Sequence, residues 1–284
     1  FAEQIVLARE LTLPMIKNLA EEITKQKINT PSGGLLKIEA FAHGALCIGI
    51  SGRCYMSLYN SNASANCGAC RQMCRRQYEV KDKDTGQKMV LDNEFVMSPK
   101  DICTIGFLPD LLDAGVSSLK IEGRGRSPEY VAIVIKSYRE ALDSINDGTY
   151  TLAKVKTWEE KLKTVYNRKL SDGYYLGKPI HEWAAFGNSQ ATEQKFFAGV
   201  VTHYFSKAKV AEIQLQAHKL KVGDRFSITG PSTGVLFGKI DSLRLEDESE
   251  AKQANKDALI TIPIKEPVKK NDKLYLIKSR KIYD

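Results

Sequence analysis

All six cysteines of the chain fall between Cys47 and Cys103. Cys47 and Cys54 are spaced C-x6-C, Cys67, Cys70 and Cys74 follow as C-x2-C-x3-C, and Cys103 stands alone. A structural disulfide framework spreads along a chain of this size and belongs to secreted proteins. Clustered thiols point instead to a metal or a redox centre. Four thiolates suffice for a cubane iron–sulfur (4Fe–4S) cluster or for a structural zinc. Zinc sites favour two C-x2-C knuckles, and one pair here has that spacing. The triplet order also differs from the C-x3-C-x2-C of radical-SAM enzymes. Unligated buried or redox thiols are a third reading. Gly44, Gly49, Gly52 and Gly68 let the backbone fold tightly around a small inorganic body.

A second group of residues could act beside the thiols. Arg9 and Glu10 follow the apolar run Ile5–Ala8, Glu39 lies late in the run 35–41 with His43 beyond it, and Glu122 and Arg124 follow Lys120-Ile121. His43 suits proton transfer because its ordinary pKa lies near neutrality. Glu39 and Glu122 could orient it or the substrate. Arg9, Arg53 and Arg124 could hold a carboxylate or phosphate bidentately. Each residue also has a purely structural use as a helix cap or ion pair.

These residues must be positioned by strand–helix alternation. Strands are expected at Ile5–Ala8, Leu35–Phe41, Phe95–Met97 and Ser118–Ile121. Helices are expected from Pro14 to Lys25 with Thr12 as cap, from Ser98 through Leu112, from Ser127 to Ile145, and over Thr157–Leu170. Alternation of this kind means a parallel sheet with its chemistry at the strand C-termini. Four such units make the C-terminal half of a (β/α)8 TIM-type barrel, residues 1–186. A missing N-terminal half of on the order of 100–130 residues is expected. The polar run Gly187–Gln194 reads as a linker. Beyond it, residues 196–284 carry six expected strands, 197–205, 210–216, 225–229, 235–245, 258–264 and 273–277, read as a small closed β-barrel. The fold class is thus α/β plus all-β. Lys221–Ile228 and Lys270–Ile277 look alike, each a turn feeding a strand.

Hydrophobic residues make up 43% of the 284 and charged residues 27%, as in a soluble globular protein. No apolar run has the length of a membrane span and no signal-peptide pattern opens the chain, so the expected location is cytoplasmic. The net charge is +8, of which residues 196–284 supply a surplus of five, with 16 Lys/Arg against 11 Asp/Glu. A basic tail fits a polyanion such as RNA, or simply a solvated surface.

The segment Glu39–Ser57, EAFAHGALCIGISGRCYMS, resembles the signature of the U32 peptidase family, also called collagenase-like. The likeness continues through Gly68–Arg76, Ser98–Cys103 and Ser118–Arg124, and covers most of residues 1–190. The resemblance implies an iron–sulfur protein for hydroxylation without molecular oxygen, with branches acting on the tRNA wobble uridine, a ribosomal cytidine or a ubiquinone precursor. It implies Cys47, Cys54, Cys70 and Cys103 as ligands, with Cys67 and Cys74 competing, and prephenate as a co-substrate of the RNA branches. One small barrel after the first domain is most like the tRNA branch. The rival readings are a peptidase, for which neither H-E-x-x-H nor G-x-S-x-G is present and Ser51-Gly52 or a thiol near His43 would have to serve, and an RNA- or partner-binding module.

Overall fold

The structure is a computed structural model of the chain and describes residues 2–50, 53–63, 68–89, 97–177, 183–184 and 189–280. Cys67, the pair Ser51-Gly52, most of the expected strand Phe95–Met97 and the Gly187-Asn188 start of the expected linker lie outside the described residues. The chain divides into two units, residues 1–125 with 133–190, and residues 126–132 with 191–284.

The first unit runs β1 (Gln4–Val6), α1 (Leu13–Lys25), β2 (Lys37–Ala45), α2 (Tyr55–Ser61), β3 (Val80–Lys81), β4 (Lys88–Met89), β5 (Asp101–Cys103), α3 (Leu108–Asp113), β6 (Ser118–Ile121), α4 (Pro128–Asn146), α5 (Leu152–Lys163) and β7 (Leu170–Ser171), with a 3-10 turn at Met73–Arg75 before β3. Helix α1 starts with a proline in its first turn and buries Ile16 and Ile23 on one stripe. Strand β2 is the centre of the sheet. It takes β1 and β6 as parallel neighbours, while β5 joins it antiparallel and β7 extends the order beyond β5. Ile38, Ala40, Ala42, Ile102, Ile105, Leu108 and Leu111 form the dry interior.

Two expectations change here. The segment 98–112 is not one helix: Asp101–Cys103 is a strand, and only Leu108–Asp113 is helical. The side chains that read as helix starters are used elsewhere, Ser98 by Arg75 and Asp101 by Arg168. The antiparallel β5 also interrupts the succession of parallel strands that half of a (β/α)8 barrel requires. The unit is an open mixed sheet with helices. In addition β2 runs to Ala45, so His43 is inside the strand rather than past its end.

The second unit is β8 (Glu193–Phe205), β9 (Val210–Leu215), β10 (Leu220–Lys221), β11 (Arg225–Gly230), β12 (Gly234–Lys239), β13 (Leu243–Leu245), β14 (Glu250–Ala251), β15 (Gln253–Ala254), β16 (Leu259–Pro263) and β17 (Lys273–Ser279). One antiparallel sheet runs β12-β11-β17-β8-β9-β16-β13-β14, and β10 pairs with β15. Alternate residues such as Ala211, Ile213, Leu215, Phe226, Ile228, Leu274 and Leu276 fill its core. Among the described residues no ladder joins β12 to β14, so the expected closed barrel is an open sheet. The chain between β12 and β16 goes into strands of two or three residues, too short to close it.

The two look-alike segments are real structural counterparts. Lys221–Asp224 and Lys269–Asp272 are the same turn: the third residue, Gly223 or Asn271, is left-handed at φ 94 or 73. In each, the Asp carboxylate accepts the first residue's N–H, at 2.9 and 2.8 Å. The strands they feed, β11 and β17, pair with each other from Arg225↔Ile277 to Thr229↔Lys273. Among the described residues no helix is long and apolar enough to cross a membrane.

Candidate metal centre

Parallel pairing of β1, β2 and β6 delivers the residues that follow β1 and β6 to the same end of the sheet. There the Nη2 of Arg9 lies 3.1 Å from the Glu122 carboxylate, and its guanidinium sits 3.6 Å above the Phe41 ring. Tyr175 fixes that ring's strand by donating to the Phe41 carbonyl at 2.7 Å. The Arg9 side chain is 14% exposed, and its Nε is buried without a hydrogen-bond partner among the described residues. A flat cation stacked on an aromatic face and held by one carboxylate can offer its accessible N–H groups to a further oxygen ligand.

Cys47 lies just past the end of β2, within electrostatic reach of Arg9. Burial pushes its thiol up, the Gly49 N–H and Arg9 pull it down, and the charges of Cys54 and Cys70 push it up again, leaving it raised. Cys74 is likewise raised by burial, against Arg75, and it feels Cys47, Cys70 and Cys54. Cys54 stands at the start of α2. Burial acts upward there, but the N–H groups of Ser57 and Met56 and the Ser57 hydroxyl donate to the sulfur and leave it lowered. Cys74 is therefore within electrostatic reach of Cys47, Cys54 and Cys70. Like charges this close oppose one another's ionisation, and a bound cationic centre would relieve that. Among the described residues, no three His, Cys, Asp or Glu side chains converge on one point as a single ion would require.

Cys103 has different neighbours. It is on β5, opposite His43 of β2, with its sulfur 3.8 Å from the Tyr138 hydroxyl. Burial pushes its thiol up to about 11, and its charged neighbours are Glu159 and Asp172. His43 is 2% exposed, with its ring edge-on to Tyr138 and Nδ1 3.5 Å from that hydroxyl. The carboxylates expected to orient His43 each hold an ion pair of their own. Glu122 gives it a backbone link, N–H to the His43 carbonyl at 3.0 Å, while its carboxylate goes to Arg9. Glu39 is bound by the Gln4 amide and by Lys120 at 3.1 Å, back along the strand.

The remaining candidates flank the thiols. Arg124 packs onto the thiol loop at Gly68, where φ is +77 and a Cβ would come within 2.4 Å of its Nη2. Gly44, at φ +127, lets β2 approach Glu122 so closely that a Cβ would meet its Cβ at 2.7 Å. Arg53 is exposed beside Cys54.

Two arginines that sequence reasoning missed hold the loops in place. Arg75 donates to Ser98 Oγ at 3.0 Å, to the Pro99 carbonyl, and to the Leu46 carbonyl at 2.8 Å, tying the Cys74 turn to the end of β2. Burial and the neighbouring Arg168 lower its pKa. Arg168 pairs with Asp101 at 3.4 Å with both side chains buried, and reaches Gln72 at 3.4 Å. The one signal available was the Cys74-Arg75-Arg76 triplet; nothing local marked Arg168.

A profile described as peptidase family U32 matches residues 1–185. A collagenase of Porphyromonas gingivalis is 46% identical over 280 residues, 99% of this chain and 67% of its own length. The tRNA hydroxylation protein P1 of Bacillus subtilis is 32% identical over 252 residues, 87% of this chain and 57% of its own length. A 23S rRNA 5-hydroxycytidine synthase of Escherichia coli is 40% identical over 151 residues, 53% of this chain and 21% of its own.

Proposed function

The chain belongs to peptidase family U32, and on that premise we propose that it is an iron–sulfur protein serving the hydroxylation of a base in RNA, a tRNA wobble uridine first. The observation that carries this reading is the electrostatic coupling of Cys47 and Cys74 to one another's neighbours Cys54 and Cys70, with Arg9 in reach of Cys47. Four soft thiols suit an iron–sulfur centre. Cys74 takes the fourth place in this reading, because it feels the other three electrostatically while Cys103 is buried beside Tyr138 and opposite His43. When bound, the cluster would supply electron transfer or polarisation of an oxygen-bearing group. RNA as substrate is supported by the names of the Bacillus and Escherichia relatives. The basic surplus of residues 196–284 favours RNA docking there.

The chain's own residues then divide the work. Arg9, oriented by Glu122 and Phe41, holds an anionic group, a carboxylate of the prephenate kind or a phosphate, with the part of its guanidinium left accessible. Arg124 braces the thiol loop through Gly68. Arg75 keeps the Cys74 turn against Leu46.

The collagenase-named relative, at 46% identity, favours a second reading as a peptidase. The geometry gives it little. The thiol set opposite His43 is Cys103, which is buried and pushed up to about 11, the wrong direction for a nucleophile at neutral pH. Purified protein that cleaves gelatin, with loss of cleavage on replacing one nucleophile, would establish it.

The test is complementation. In cells lacking the protein, the wild type restores the hydroxylated nucleoside in tRNA, read by mass spectrometry, and Cys47→Ser with Cys54→Ser does not. Restoration by that double variant would refute the iron–sulfur reading.

A further inference from the structure

Helix α2 starts one residue after Cys54 and is short, yet its two faces differ sharply. Ser57 is fully buried: its hydroxyl accepts the Arg71 N–H at 3.3 Å and also donates to the Cys54 sulfur. On other faces Tyr55 is 77% exposed and Tyr59 is 92% exposed. Positions i and i+4 stack along one side of a helix, so the two rings share a surface. Leu58, 47% exposed, and Ile50, 70% exposed, extend this apolar area. Neither tyrosine belongs to the core, and clustered exposed aromatics mark a surface that meets something.

The charge around them says what. From Cys47 to Tyr78 the chain carries Arg53, Arg71, Arg75 and Arg76 and neither Asp nor Glu. Arg53, Arg71 and Arg76 are exposed, whereas Arg75 is committed to Ser98, Pro99 and Leu46. Arg53 lies two residues before Tyr55, and the Ser57 bond sets the Arg71 backbone against α2. Two exposed rings in a stretch of chain that carries three exposed guanidinium groups and no carboxylate suit a polyanion that also offers flat faces. Unpaired nucleic-acid bases offer both: they stack on aromatic side chains while arginines meet the phosphates.

We propose that Tyr55 and Tyr59 form a stacking platform for unpaired bases of an RNA, with Arg53, Arg71 and Arg76 contacting its phosphates, next to the thiol centre. This rests on the reading of the chain as acting on RNA and deepens it: the platform selects single-stranded segments over duplex. The tyrosines are positioning residues. They bring a base to the thiol end of β2 and take no part in its chemistry.

The experiment uses the full chain, purified anaerobically, with a short oligouridylate, a duplex of the same length and an unmodified tRNA as probes. Tyr55→Ala with Tyr59→Ala weakens oligouridylate binding by about five- to a hundred-fold for each ring lost, and weakens the duplex far less. Tyr55→Phe and Tyr59→Trp retain binding, because the face and not the hydroxyl is used. Unchanged iron content in the alanine variant shows that the thiol loop is intact. Equal affinity of wild type and alanine variant for oligouridylate and tRNA overturns the platform while leaving the RNA reading in place. No binding of any RNA by the wild type overturns both. A wild-type dimer that the alanine variant converts to monomer, with RNA affinity unchanged, overturns the platform in favour of a self-association surface.

Discussion

The thiol-bearing segment of the first unit and the sheet of the second are held together by different physics. In the second unit, long ladders such as β8 with β17 and β9 fix the register, and alternate residues fill a dry core. Around the thiols, β3 and β4 are two residues each, and the chain is pinned instead by single buried arginines at distant backbone carbonyls and one carboxylate. A ladder spreads its stability over many small terms. A pinned loop concentrates it in a few groups, each costly to lose because its partner stays buried and unsatisfied.

The sharpest way to break this comparison is Arg168→Ala. It removes the guanidinium paired with the buried Asp101 carboxylate, with Arg75 still in electrostatic reach, and should destabilise the first unit by about 1–3 kcal/mol. Hydrogen exchange should rise in the peptides around β5 and β7 before it rises in β11 or β17. The reciprocal change, Ile228→Ala in the sheet core, should cost roughly 2–4 kcal/mol and show the opposite pattern of exchange. If both variants open the same peptides, the two regions are not held separately.

A pH titration sharpens the contrast between the thiols. Cys103 has a folded pKa of about 11 against an ordinary 9.0, so the unfolded chain gives up that proton first. Its contribution is present below pH 9 and is lost as pH rises from 9 to 11, amounting to about 2–3 kcal/mol. Cys103→Ala should flatten that stretch of the stability curve, measured by urea unfolding at each pH. Cys54 is lowered by its amide donors, so its contribution is present above the ordinary thiol pKa and lost as pH falls through the folded one. The smallest effect expected is Asp224→Asn, which keeps the turn but weakens its charge-assisted bond to the Lys221 N–H, about 0.5–1.5 kcal/mol by thermal melting.

The same contrast explains what could be read from the sequence. Strands with alternating apolar residues, such as Val210–Leu215, announce themselves, because the period-2 pattern is local. So do α1 and α4, and so do the cysteines. The Ser98-Pro99-Lys100-Asp101 run reads as a helix start, yet Arg75 and Arg168 take its capping side chains and β5 pairs with β2. Those partners lie 23 and 67 residues away, beyond any local pattern. For the same reason the spacing of the thiols did not reveal that Cys103 meets the Tyr138 hydroxyl or that Cys74 feels Cys47, Cys54 and Cys70 electrostatically. Residue types that could do chemistry were legible locally; which of them meet depended on long-range pins.

The most direct test of the central claim is the iron and acid-labile sulfide content of anaerobically purified protein, with its visible absorption spectrum, for the wild type, Cys74→Ser and Cys103→Ser. The account predicts iron and sulfide in equal amounts with a broad visible band, lost in Cys74→Ser and kept in Cys103→Ser. Zinc in place of iron, or a cluster that survives Cys74→Ser and vanishes in Cys103→Ser, would contradict it.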